Sequence, residues 1–332
     1  MSVHRAVRQG AWLISLATVV FSIVHLNPVA AQAQTWPTRN MTVIVPFTAG
    51  SASDVIARIA FDQVSKQVGW PIVIENRGGA GGTLGANVVA KAAPDGHTIL
   101  TTGSLGAAYG LYPTLPYATL ADFAPVISLG RQPHVLLTAP STGFKTFGDL
   151  IAAAKARPGA LNFGSAGIGS TSHFAAERLS LSAGMKAQHI PFRGPAEAIT
   201  ETIAGRVDFM FLPVTPALSL IRDGTLVALA VSGSKRAPAL AEVPTTAEVG
   251  LIGAEYDYWA GLFLPAKTPR EIVVRLHREM ETALQMPSVQ ERLAKLGLEP
   301  MPMSLEQFDK YFRDDVAATV RLVKAANIVV RQ

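Results

Sequence analysis

Two loops of small and hydroxyl-bearing residues carry the chemistry that this sequence can offer. The first is Pro46-Phe47-Thr48-Ala49-Gly50-Ser51-Ala52-Ser53-Asp54, between a strand-like and a helix-like run. Such a loop leaves backbone N–H groups free at a helix N-terminus, where they favour a carboxylate or a phosphate. A tight strand-to-helix turn with a serine cap, and Asp54 as a first-turn acid, accounts for the same residues without a ligand. The second loop is Gly164-Ser165-Ala166-Gly167-Ile168-Gly169-Ser170-Thr171-Ser172-His173. Its glycines, Gly167 and Gly169 among them, admit a close approach to the backbone, and Ser170 and Thr171 can each donate to a ligand oxygen. A helix cap needs only one of these hydroxyls. His173 reads as a packing residue rather than a base.

Further candidates are weaker. Arg193 follows a strand in Pro191-Phe192-Arg193-Gly194 and either pairs a ligand carboxylate bidentately or makes a surface salt bridge. Ser104, Ser165 and Asp208 complete the expected ligand contacts, although core or hinge packing is the commoner place for Asp208. Arg77-Gly78-Gly79-Ala80-Gly81-Gly82-Thr83-Leu84-Gly85 approaches a dinucleotide fingerprint but lacks its spacing and its ribose-holding acid, so a glycine turn beside the cleft is expected. No serine sits in G-x-S-x-G and H-E-x-x-H does not occur. His173 and Glu177 form an i, i+4 pair without a third ligand. The chain has no cysteine, which excludes disulfides, thiolate nucleophiles and cysteine-held metal. The expectation is therefore no enzyme, no metal and no cofactor.

Strand-like and helix-like segments that alternate from Met41 onward must position these loops. Short β-branched runs at 41–47, 71–76 and 97–103 are interleaved with helical runs, and a similar series restarts at 134–139 and runs to 226–232. That alternation predicts α/β architecture with mainly parallel sheets flanked by helices. An aromatic strand at 256–266 precedes a helical tail, whose two helices are expected to start at capping boxes, Thr268-Pro269-Arg270-Glu271 and Ser304-Leu305-Glu306-Gln307. The pattern predicts two lobes: residues 36–133 plus 258–332, and residues 134–257. The strand ends of both lobes would then surround one cleft.

The first 33 residues read as an export signal. Arg5 and Arg8 precede the apolar run 11–26, and Ala31-Gln32-Ala33 offers a cleavage site. A retained anchor is the alternative, but the run is short for a bilayer span and is ended by His25 and Pro28. The chain has 332 residues with 29 Lys+Arg against 24 Asp+Glu, a net charge of +5. Loss of Arg5 and Arg8 with the leader lowers it to +3. No basic run occurs, so a nucleic-acid partner is not expected.

In order along the chain, PFTAGSASD (46–54), IENRGGAGGTLG (74–85), PDGHTIL (94–100), GSAGIGSTSH (164–173), FRG (192–194) and GRVDFMF (205–211) resemble the Bug family, the periplasmic solute receptors of tripartite tricarboxylate transporters. The similarity spans essentially the whole mature chain. It implies a two-lobed, type II periplasmic-binding-protein (Venus-flytrap) fold that closes on a small carboxylated solute, a di- or tricarboxylate, an amino acid or an aromatic acid. By that resemblance the 47–54 loop (Phe47, Thr48, Ala49, Gly50, Ser51, Ser53, Asp54) and the 164–173 loop grip the ligand, largely through backbone N–H groups, hydroxyls and waters. Ser51 stands where the family usually has a second glycine, and His97 where it has tyrosine. The implied partners are membrane transporter subunits, with the receptor a monomer in the periplasm. A ligand sensor for a two-component system is the alternative, and a periplasmic hydrolase a more distant one.

Overall fold

Short buried strands followed by serine-capped helices build the first part of the chain. The computed structural model describes residues 36–112 and 114–328. Strand β1 (Met41–Val45) leads into helix α1 (Ala52–Val68), which Ser51 caps and Gly69 ends in the left-handed conformation at φ 72°. Then come β2 (Ile72–Asn76), α2 (Thr83–Ala90), β3 (Thr98–Thr102) and the short α3 (Leu105–Leu111). β1 pairs in parallel with both β2 and β3.

Next comes one long strand, β4 (Phe123–Thr138), 16 residues in length. The second series follows it: α4 (Phe147–Ala156), β5 (Asn162–Ser165), α5 (Thr171–Ala183), β6 (Gln188–Pro191), α6 (Pro195–Ile203), β7 (Phe209–Pro213), α7 (Val214–Arg222) and β8 (Val227–Val231). Strand β9 (Asp257–Pro265) then leads to α8 (Arg270–Gln285), α9 (Pro287–Lys295) and α10 (Leu305–Ala325). The strands join in the order β2-β1-β3-β9-β4-β7-β5-β6, with β8 also on β4.

The parallel strands of each half are thus joined by two antiparallel ones. From Phe123 to Pro133, β4 pairs with β9, and from His134 onward it pairs with β7 and β8. The sequence pattern places a strand only at 134–139, because Pro125, Gly130, Arg131 and Pro133 punctuate the earlier run. The strand absorbs them as irregularities, with register shifts between Pro125 and Ile127 and between Ser128 and Gly130.

The tail departs from expectation at one end. Ser304 forms the expected capping box with Gln307. Thr268 forms none, since its hydroxyl donates to the Pro265 carbonyl at 2.7 Å. Pro287 ends α8 and opens α9, a helix beyond the two expected in the tail.

Each half has its own core. In the first, α10 lays Phe308 and Phe312 on Phe263, with Trp259 edge-on to Phe308. In the second, alternation along β7 sends Phe209 and Phe211 to one face of the sheet and Met210 and Leu212 to the other. Phe308 is fully buried and lies directly over Gly261, where any Cβ would stand 2.3 Å from the ring. Phe308→Ala is expected to cost about 3–5 kcal/mol in chemical denaturation, the usual range for emptying a buried phenylalanine site.

Candidate functional site

The first loop is braced from behind by Asp54. One carboxylate oxygen of Asp54 accepts from the Gly50 N–H at 2.9 Å, the other from Asn76 Nδ2 and Arg58 Nε at 3.0 Å each. Asn76 Nδ2 also donates to the Phe47 carbonyl at 3.0 Å. Burial alone would raise the Asp54 pKa, but the bonds from Arg58, Gly50 and Asn76 outweigh it and hold the carboxyl below its ordinary value. Asp54 is therefore spent on the shape of the turn. Ser51 Oγ accepts from the Asp54 N–H at 3.4 Å, which leaves its own hydrogen to give, and Ser53 Oγ meets Tyr258 Oη at 2.8 Å.

The second loop follows the same plan. Gly167 and Gly169 take φ values of 114° and 86°, open to glycine and costly for other residues. Ser170 Oγ accepts from the His173 N–H at 3.3 Å, Ser172 Oγ from the Ala166 N–H at 3.0 Å, and the two hydroxyls lie 3.0 Å apart. One of the pair donates to the other, so a single hydroxyl hydrogen is left for the cleft.

Thr171 behaves differently from the sequence expectation. His134 is fully buried, and burial lowers its pKa to about 4 although the Tyr256 carbonyl pulls the other way. The neutral ring donates from Nδ1 to that carbonyl at 3.0 Å, so Nε2 accepts from Thr171 Oγ1 at 3.1 Å. The Thr171 hydrogen is thus given to His134, and Thr171 turns lone pairs rather than a donor to the cleft.

The two loops share one cavity. Phe47, Ser51 and Ser53 line it from the first half, Ser170 and Thr171 from the second. It is tight, with about 30 Å³ open to the centre of a water-sized sphere, room for water but not for a solute. Across the rim the halves touch through backbone. A Cβ on Gly81 would stand 2.0 Å from the Ile168 carbonyl oxygen, and one on Gly194 2.8 Å from Thr48 Cγ2. Leu111, Phe174 and Leu322 join α3, α5 and α10 in a small apolar cluster. From Arg39 onward the halves form one compact unit.

The remaining expected residues lie around this centre. Ala49 and Gly50 are exposed in the turn. Ser104 is buried against Thr102 Oγ1, at 3.0 Å. Ser165 is fully buried behind the loop, 2.6 Å from His189 Nε2. His189 stacks on His173 with centroids 3.9 Å apart. Burial, helped by the neighbouring His173, lowers the His189 pKa to about 3. Arg193 has 89% of its side chain exposed and pairs with Glu197 at 3.5 Å, away from the cavity. Asp208 accepts from the Asn162 N–H at 2.7 Å, at the far end of β5 from the loop.

Sequence reasoning missed Pro195, Leu212, Pro213 and Pro216 on the cavity wall. Nothing in their own pattern marks them apart from core and turn residues. Tyr258, from the aromatic strand, also lines the cavity. A larger groove of about 630 Å³ lies against α8, α9 and the 298–303 segment, but none of the loop residues reaches it. Among the described residues no group of three or more His, Asp or Glu side chains could hold a metal ion, and no helix is long and apolar enough to cross a membrane.

Two halves on crossing strands, closing helix N-termini over one cavity, define a periplasmic solute-binding protein of the two-lobed class, a binder rather than an enzyme. The family model described as tripartite tricarboxylate transporter family receptor matches residues 56–328, and the chain belongs to that family, the Bug receptors. It is 34% identical to protein BugT of Bordetella pertussis, over 88% of this chain and 90% of that one. Among solved structures, MatC from Rhodopseudomonas palustris with bound malate is 34% identical with a TM-score of 0.82, over 86% of this chain and 99% of that one. R. palustris Rpa4515 with adipate is 33% identical with a TM-score of 0.85, over 89% and 99%.

Two outcomes follow from the geometry. Gly81→Ala should hold the halves apart, because the new methyl meets a carbonyl oxygen that cannot move aside alone. Small-angle scattering should then show a larger radius of gyration than the wild type under matched conditions, and an unchanged radius would contradict the contact. The second outcome concerns acid. His134 and His189 have pKa values depressed to about 4 and about 3 from 6.5, so between those values and 6.5 the unfolded chain binds more protons than the folded one. Stability is complete above pH 6.5 and falls as pH drops through this window. Asp315, whose pKa burial raises to about 6 against the bond from Trp259, works in the opposite sense between 3.8 and 6. Asp257, which burial also raises, works in the same sense as Asp315, and His189→Gln, by removing one of the two opposing histidines, should raise the melting temperature at pH 4.5 relative to that at pH 6.5.

Proposed function

We propose that this chain is an extracytoplasmic receptor that captures a small carboxylated solute between its lobes and presents it to the membrane subunits of a tripartite tricarboxylate transporter. The observation that carries the reading is the convergence of the α1 and α5 N-termini, from opposite halves, on one cavity with unspent hydroxyl hydrogens at Ser51 and in the Ser170–Ser172 pair. A helix N-terminus favours an anion by about 0.3–1 kcal/mol at an exposed site and more when partly buried. Relatives whose structures carry malate and adipate support an organic acid as the ligand class.

The lobe division goes with this reading: residues 36–133 with 258–332, and 134–257, the crossings falling within β4 and at the start of β9. So does export by the leader at 1–33, cleaved near Ala33, which lies outside the described residues. The receptor acts as a monomer that opens to admit its solute, and binding shifts the open–closed balance by the contacts that only the closed form completes.

The test is to identify by mass spectrometry the solute released from natively purified protein, then titrate it calorimetrically. The expected solute is a small carboxylate, and Ser170→Ala should weaken it about tenfold, the effect of losing one hydrogen bond to a charged group. Ser170→Thr, which keeps both cap and hydroxyl, should recover most of the affinity. An uncharged or cationic solute, or an unchanged affinity in Ser170→Ala, would overturn the assignment.

A further inference from the structure

The pairing of Thr171 with His134 restricts the solute further, given the receptor reading above. Thr171 is the first residue of α5 and lines the cavity directly after the Ser170 cap. Behind it stands His134, fully buried, with the rings of Tyr256 and Tyr258 at centroid separations of 5.7 and 6.1 Å. Its Nδ1 lies 3.0 Å from the Tyr256 carbonyl, and a carbonyl can only accept, so Nδ1 carries the ring hydrogen. Nε2 is left with a lone pair, which takes the Thr171 hydroxyl hydrogen across 3.1 Å. That hydroxyl cannot turn to donate elsewhere without leaving a buried ring nitrogen unpaired. Among the described residues no second group bonds to Thr171 Oγ1.

The serines beside it have the opposite polarity. Ser51 keeps its hydrogen, and the Ser170–Ser172 pair keeps one. The site therefore sets a fixed acceptor next to its donors. An ionised carboxylate has no hydrogen to offer that acceptor, and its lone pairs would face those of Thr171. The restriction comes from the direction of one hydrogen, so it holds whatever the volume of the opened cleft. We propose that Thr171, held as an acceptor by His134 acting as a positioning residue, selects a solute with a hydroxyl or amino group on the carbon next to its carboxylate, the serines taking the carboxylate and Thr171 accepting from the neighbouring donor.

The solute released from natively purified protein is the first check, and it should carry such a hydroxyl or amino group. A carboxylate lacking both overturns this proposal and leaves the receptor reading standing, whereas a solute without a carboxylate overturns both. Calorimetric titration then uses matched sets: succinate with malate and aspartate, propanoate with lactate and alanine, phenylacetate with mandelate and phenylglycine. In the tightest-binding set the hydroxy or the amino acid should exceed its unsubstituted parent about tenfold, the effect of leaving a buried acceptor unpaired. Which of the two leads distinguishes a hydroxyl from an ammonium donor. Thr171→Val should weaken that binder about tenfold and leave the parent unchanged, and Thr171→Ser should restore the margin. His134→Phe keeps a ring beside the tyrosines, and the Tyr256 carbonyl retains its bond from Ser232 Oγ at 2.7 Å. It should narrow the margin without weakening the parent, where a merely structural role would weaken both alike. A parent that binds tightest in its set, a margin under threefold, a margin that survives Thr171→Val, or no binding from any set at millimolar concentration overturns the proposal.

Discussion

The cleft is governed by the electrostatics of two helix ends of the same sign. Each N-terminus carries the equivalent of roughly half a positive charge, and α1 and α5 bring theirs to opposite walls of one cavity. Such ends repel weakly across an empty gap and attract jointly anything negative placed between them. The two are not identical, because Asp54 sits in the first turn of α1 while α5 has no acid in its first turn. Asp54 offsets part of the charge on its own helix, so α5 offers the less compensated end. An anion between them converts a contact that resists closure into one that favours it. This is the differential contact through which a ligand can shift an open–closed equilibrium.

The two strands that cross between the halves also hold the two loops. On β9, Tyr258 meets Ser53 at the start of α1. On β4, His134 accepts from Thr171 at the start of α5 and donates to the backbone of Tyr256, just ahead of β9. The rings of His134 and Tyr258 lie edge to face with centroids 6.1 Å apart. Both helix ends are therefore tied to the residues about which the halves would turn, so a change in strand geometry reorients both at once. The neutral state of His134 matters to this arrangement. A protonated ring would have no lone pair for the Thr171 hydroxyl, and the hydrogen of that hydroxyl would turn into the cleft.

The sequence makes the helix starts legible and the wall opaque. Serine at 51 and 170, small residues before them and apolar periodicity after them announce two anion-favouring helix ends, because capping is a local matter decided within four residues. The role of Asp54 was less accessible, since its partners Asn76 and Arg58 come from another strand and from the next helical turn. The direction of the Thr171 hydrogen is not a local matter, since it is decided by a histidine 37 residues earlier in the chain. Arg193 carried the strongest charge near the motif, yet Glu197, one helical turn on, draws it outward. The cavity prolines look like turn punctuation in sequence. Only the strand order, which brings the end of β7 beside the end of β5, places them on the site.

A receptor built from neutral donors differs in kind from one built on an ion pair. Hydrogen bonds to a charged group contribute roughly 1.5–3 kcal/mol each, and here the groups that supply them are fixed by bonds of their own before any solute arrives. Ser51 and Ser170 are held as caps. Little ordering remains to be done on binding, so affinity comes from preorganisation rather than from a single deep attraction. On the proposed reading, opening the rim would divide these donors into two sets, one on each half.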